Sequence, residues 1–182
     1  MKLLSALILS SMIVSASALA QSSSDKAIIP GERIGPAAIM MSLDQLAQVL
    51  GPKQALGRPA NGQTVLQQAE TATSQASVVH RFDHVGIRAV TPSGADRVEI
   101  IATYNSTDTD HAFATKEGVR IGSTRSEVET AYGKPTAVLG SAPNPAQMIY
   151  DDKGLGLRLT AENKVDLIQV FRPGAARERW KF

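Results

Sequence analysis

The chain has 182 residues, with 19 Lys and Arg against 17 Asp and Glu, and no cysteine. So even a balance offers no large field to steer the protein onto nucleic acid or an acidic surface. The lack of cysteine excludes disulfides, thiolate metal sites and a lipid-bearing N-terminal cysteine, so stability has to come from packing.

At the N-terminus, MKLLSALILSSMIVSASALA sets one cation, Lys2, before an apolar run that closes small-x-small at Ala18-Leu19-Ala20. This predicts an export signal cleaved between Ala20 and Gln21. The run is too short and too serine-rich for a stable bilayer anchor, so the expected product is periplasmic or secreted with no transmembrane segment. Residues 21–27 read as a disordered leader.

Residues 28–39, IIPGERIGPAAI, carry two prolines and read as an extended lead-in. Ser42 then caps a helix: Gln45 stands three places on, where its side chain can reach back to the cap's own N–H. Leu43, Leu46, Ala47 and Leu50 recur at helical spacing, and Gly51-Pro52 ends the run. The helix is short and needs a surface to accept its apolar stripe. From Gln54 the chain is a polar, Gln/Ala/Thr-rich passage, expected to be a long loop with one edge strand near Val65. Strand patterns resume over residues 78–82, 85–90 after a kink at Asp83 and Gly86, and 98–104, which together predict an antiparallel meander.

The same order then recurs. IGSTRSEVETAYGKP (121–135) repeats IMMSLDQLAQVLGPK (39–53), with Thr124 as cap, Glu127 as its partner and Gly133 as stop. Strands are expected over 136–139, 147–150, 154–160 and 165–171. VEIIATY (98–104) matches VDLIQVF (165–171), and VGIR (85–88) matches LGLR (155–158). The expected fold class is therefore α+β, in two tandem repeats, each a short capped helix on an antiparallel β-meander with one sheet face open. The layout is a signal over 1–20, leader 21–27, repeat 28–107, linker 108–115, repeat 116–174 and a basic tail over 175–182. In 154–160, Leu155, Leu157 and Leu159 point to the helix side while Gly156, Arg158 and Thr160 point to the open face. Ile100 with Ile101, and Leu167 with Ile168, put apolar groups on both faces.

The run Gly122-Ser123-Thr124-Arg125, then Val128, then Gly133-Lys134-Pro135, resembles the helix-opening signature of tandem α/β repeats of the β-lactamase inhibitor protein type. It is similar also to the SmpA/OmlA outer-membrane assembly lipoproteins. The first copy matches more loosely through Pro30-Gly31, Ile34-Gly35-Pro36, Met41-Ser42 and Gly51-Pro52. The resemblance implies non-enzymatic binding of a protein partner in or outside the cell envelope, with the open sheet face as contact surface.

Candidate chemistry is sparse. His80 and His84 have the H-x-x-x-H spacing that chelates zinc on a helix, but along a strand they stand about 13 Å apart and read as surface histidines. Asp108, Asp110 and His111 alternate in a polar loop without the glycine and distal glutamate of a calcium loop. No G-x-S-x-G and no phosphate loop is present. Neither a cofactor nor a metal is expected. Arg88 and Arg158 fall on the open-face side of matching strands, as anchors for an acidic partner or as ion pairs with Glu99 and Asp166. The basic tail holds Trp180 among Arg172, Arg177, Arg179 and Lys181; it reads as a frayed end, with peripheral membrane contact as its functional alternative. The expected function is an exported binding module for a protein partner, with Arg88, Arg158, Tyr104, Phe171 and Trp180 as contact residues. The alternatives are an envelope-assembly accessory, or a hydrolase with a site assembled around His80, His84 and His111.

Overall fold

The computed structural model describes residues 25–51, 77–104, 113–140 and 146–180. The edge strand expected near Val65 and the loop holding Asp108, Asp110 and His111 lie outside the described residues.

The chain is α+β, with antiparallel strands dominating. Its lead-in is not one extended segment. β1 (Ala27–Ile29), β2 (Arg33–Ile34) and β3 (Ala37–Ala38) fold back on one another because Gly31 and Gly35 take φ of +76° and +54° between them. β1 also pairs in parallel with β7 (Ala114–Thr115), which completes a small sheet in the order β3-β2-β1-β7. The segment expected to be a solvated linker, residues 108–115, thus ends in packed structure: Phe113 and Thr115 are buried. The apolar ring of Phe113 supplies the reason, since it joins the main core.

Two helices, α1 (Leu43–Leu50) and α2 (Arg125–Tyr132), begin as their sequences require. Ser42 and Thr124 each accept the N3 amide, and the side chains of Gln45 and Glu127 accept the cap N–H in return, at 2.9 and 2.6 Å. Both run on to a glycine, Gly51 and Gly133.

Among the described residues the large sheet has seven antiparallel strands: β4 (Ser77–Phe82), β5 (Ile87–Pro92), β6 (Ile100–Tyr104), β8 (Ala137–Leu139), β9 (Gln147–Tyr150), β10 (Leu155–Leu159) and β11 (Val165–Phe171). Their order is β4-β5-β6-β11-β10-β9-β8, so β6 and β11 are neighbours at the middle. Two 3-10 turns, Asp83–Val85 and Asp151–Lys153, lead into β5 and β10. Val98 and Glu99 precede β6 instead of opening it, because Val98 gives its N–H to Met41 and its carbonyl to the Met40 N–H, at 3.0 and 2.8 Å. Leu46, Leu50 and Val128 pack from the helices onto one face of this sheet, against Ile87, Ile101, Leu155, Leu157 and Ile168 among others. Each such side chain contributes about 1.5–3 kcal/mol by leaving water.

The opposite face is not wholly open. Residues 175–180, expected as a frayed tail, form α3 (Ala175–Trp180), and Ala176 closes a second apolar cluster with Ile100, Ile149 and Phe171. Asp151, 4% exposed, holds this helix by accepting the Ala176 N–H at 2.9 Å, and its main-chain carbonyl accepts from Gly174 at 2.9 Å. Arg179 adds bonds to Glu99 and Ser77 at 3.0 and 2.9 Å. The apolar groups that Ile100 and Phe171 carry on this face are thereby covered. Among the described residues no helix is long and apolar enough to cross a membrane.

Candidate functional site

Strand alternation and register decide what the half of the sheet face beyond α3 displays. Arg81, Arg88 and Ala102 lie in one row across β4, β5 and β6, and the row continues through Gln169 and Gly156 on β11 and β10. The next row holds Tyr104, Leu167, Arg158 and Gln147. Tyr104, Leu167, Arg88, Arg158 and Gln169 are all half-buried. The surface is mixed, with an aromatic and an aliphatic side chain between arginines.

Its electrostatic centre is Asp83, in the 3-10 turn at the end of β4. The carboxylate accepts from Arg81 Nε at 3.1 Å and Nη2 at 2.7 Å, and from the Tyr104 hydroxyl. Burial is the largest single influence on this carboxyl and pushes it up. The Tyr104 and Arg81 hydrogen bonds, with the charges of Arg81 and Arg88, outweigh that and hold it below its usual range. The Tyr104 phenol is raised, first by burial and then by its bond to Asp83. The Cζ of Arg88 stands 3.9 Å from the centroid of the Tyr104 ring, a cation–π arrangement.

Sequence-expected residues fare differently. Arg158 forms the ion pair with Asp166, Nε and Nη2 at 2.8 and 2.9 Å. Arg88 does not pair with Glu99, whose carboxylate is taken by Arg179. The helical tail brings Arg179 to that edge, and no sequence pattern predicts it. Nor do Arg88 and Arg158 occupy matching places. Gly86 and Gly154 close the two 3-10 turns at φ of +64° and +66°, and Arg88 follows the first by two residues while Arg158 follows the second by four. Gly156 is the residue two places after Gly154. A Cβ there would lie 2.5 Å from Gln169 Nε2 and 2.8 Å from its Cγ, so Gln169 lies over the glycine. Opposite Arg88 stands Ala102, so each of these cross-strand pairs joins a large residue to a small one.

Tyr104 and Phe171, though both expected at the contact surface, separate: Tyr104 stays on the uncovered half, while Phe171 is 2% exposed beneath α3. Trp180 closes α3, and its side chain lies outside what the structure describes. Of the two described histidines, His84 is exposed and His80 half-buried, and each makes a hydrogen bond. His84 Nε2 donates to the Leu50 carbonyl at 2.6 Å, at the C-terminus of α1, and His80 Nε2 is 3.0 Å from Thr91 Oγ1. His111, the third member of the expected hydrolase cluster, is outside the described residues.

A second feature lies at the edge of α3. A cavity of about 330 Å³ is bounded by Ile39, Met40, Ile100, Phe171, Ala175 and Arg179. Met40 is 57% exposed there, and its φ of +67° is unusual for a side chain of that size. Sequence reasoning missed it, since nothing around Met40 announces a left-handed residue.

The fold and this face define the chain as an α+β protein whose sheet is helix-covered on one side and, among the described residues, partly uncovered on the other. No protein-family profile matches it, and no curated protein does either. Among solved structures it is similar to a DUF4309 family protein, YjgB, from Bacillus subtilis, with 10% identity over 78% of this chain and 88% of that one and a TM-score of 0.47. A likeness that distant bears on neither family nor function.

Proposed function

We propose that the protein is an exported, non-enzymatic binding module of the tandem-repeat type typified by the β-lactamase inhibitor protein, and that it takes a protein partner on the sheet face beyond α3. The repeat is supported by its details. Both helices carry the same reciprocal cap, and both caps are approached by the same main-chain bonds: Val98 with Met40 and Met41, Val165 with Gly122 and Ser123. Aligned end to end, VEIIATY and VDLIQVF set Ala102 level with Gln169, and these two face each other across β6 and β11. A two-fold relation between the halves would pass through that pair.

One observation carries the binding reading. α3 covers the apolar patch of Ile100, Ile149 and Phe171, while the counterpart half keeps Tyr104 and Leu167 half-buried among arginines with no helix on them among the described residues. Amphipathic aromatics and arginine are the residue types that dominate interface energetics. Export is supported by the leader pattern of Lys2 and the apolar run, and the absence of cysteine suits a fold that relies on packing alone.

Crosslinking from intact cells tests this. The wild-type protein is expected to yield a discrete crosslinked species that disappears in Leu167→Asp, with the melting temperature of the purified variant marking it as folded. A folded Leu167→Asp protein with an unaltered crosslinking pattern would sink the proposal. A panel of generic esterase, peptidase and phosphatase substrates is expected to give no turnover that depends on His80 or His84.

A further inference from the structure

Resting on the binding reading above, we infer that Arg88 is the receptor for a carboxylate carried by an acidic side chain of the protein partner. Three arginines stand on the uncovered half of the sheet. Arg81 is satisfied by Asp83, and Arg158 by Asp166. Arg88 makes no ion pair among the described residues, and its Nε is buried without an acceptor. It also stands directly opposite Arg81 in the strand register, and the Asp83 carboxylate near them is ion-paired with Arg81. Like charges facing each other across a strand pair destabilise it, and a buried donor without an acceptor does so again. An anion beside the guanidinium offsets the first of these, while the Nε itself lies closed to solvent.

The geometry selects the kind of anion. With its Cζ 3.9 Å from the Tyr104 ring centroid, the guanidinium lies against an aromatic face, and the anion that best suits such a planar group is one that can take two parallel hydrogen bonds. The Tyr104 hydroxyl is tied to Asp83, so the platform under Arg88 is anchored before any partner arrives. Ala102, directly across from Arg88, is small and buried, and the half-buried Leu167 offers apolar contact for the stem of a glutamate. A chain-terminal carboxylate would want a nest of free main-chain N–H groups, and the strands here use theirs in the sheet.

The test uses the full chain, labelled with 15N-arginine and titrated with N-acetyl-glutamate amide, with N-acetyl-glutamine amide, with inorganic phosphate, and with sodium chloride at matched ionic strength. The Arg88 Nε–H resonance is identified by its loss in Arg88→Lys. We expect it to shift saturably with the glutamate probe and not with the glutamine probe or salt, while the Arg158 resonance stays in place. Equal movement of Arg88 and Arg158, equal response to the glutamine probe, or a stronger response to phosphate would overturn the assignment. Crosslinking separates this inference from the reading beneath it. Loss of the partner in both Leu167→Asp and Arg88→Gln supports both, loss in Leu167→Asp alone overturns the role of Arg88, and loss in neither overturns the two together.

Discussion

Asp83 and Asp151 each open a 3-10 turn after a buried aromatic residue, Phe82 or Tyr150, yet they serve different neighbours. Asp83 accepts from Tyr104; the corresponding last residue of β11 is Phe171, which has no hydroxyl, and the Asp151 carboxylate accepts the α3 N-terminus instead. One oxygen atom thus separates a polar surface from a helix-docking one. The tyrosines make a second point at this scale. All three, Tyr104, Tyr132 and Tyr150, are raised above the usual phenol value, with burial the leading cause in each, and Tyr150 reaches about 12. Since folding raises these values, the stability they contribute is whole below pH 10 and is lost as pH climbs through the folded values. A pH titration of tyrosinate absorbance should therefore show little ionisation at pH 10, with alkaline unfolding above it; a normal phenol titration of the native protein would contradict this. Gly154 gives a third expectation. At φ +66°, a Cβ there would strike the Phe171 carbonyl oxygen and lie 2.7 Å from the Gly31 Cα, both main chain and unable to swing aside. Gly154→Ala should cost about 3 kcal/mol or more, read as a drop in the urea midpoint.

At the scale of elements, the caps and the docked tail set the local stabilities. Thr124→Ala removes the hydroxyl that accepts the Glu127 N–H, while the Glu127 carboxylate keeps the cap N–H, and the loss should cost about 1 kcal/mol in chemical denaturation. A loss of only a few tenths would mean that solvent replaces the cap. α3 is a six-residue helix whose first orphan amides depend on Asp151. Asp151→Ala should release it, so that trypsin cuts at Arg177 or Arg179 much sooner than in the wild type while the sheet stays folded. Unchanged cleavage kinetics would show that Ala175 and Ala176 hold the helix without the cap. Most of this layer was legible beforehand. Ser42 with Gln45, Thr124 with Glu127, and the leucine alternation of β10 are all local chemistry, each partner within five residues of the other. α3 was not legible, because Arg177 and Arg179 give a short run no apolar periodicity and its anchors lie on distant strands.

Across the whole molecule, β6 and β11 join the halves along one continuous ladder, and Ile101, Val170 and Ile168 bury their side chains at that seam. β1 and β7 add a second link, a short parallel one. One apolar core holds side chains from both sides of that seam, from Ile28 to Val170. Urea unfolding should accordingly give one transition with coincident far-UV circular dichroism and tyrosine fluorescence; two separated transitions would make the halves independent domains. The candidate surface belongs to this scale too, since its two rows cross from β4 to β9. In letters, VGIR aligns better with LGLR than with KGLG, which sets Arg88 against Arg158. The left-handed glycines after the turns set Arg88 against Gly156 instead, and only backbone conformation can choose between the two alignments. By itself the sequence determined the helix starts, the strand faces and the α+β class, since these follow from side chains a few places apart. Only the tertiary structure decided which half of the sheet α3 covers and which arginine lacks a carboxylate among the described residues, because those outcomes depend on register and on partners such as Arg179 and Glu99, which stand 80 positions apart in the chain.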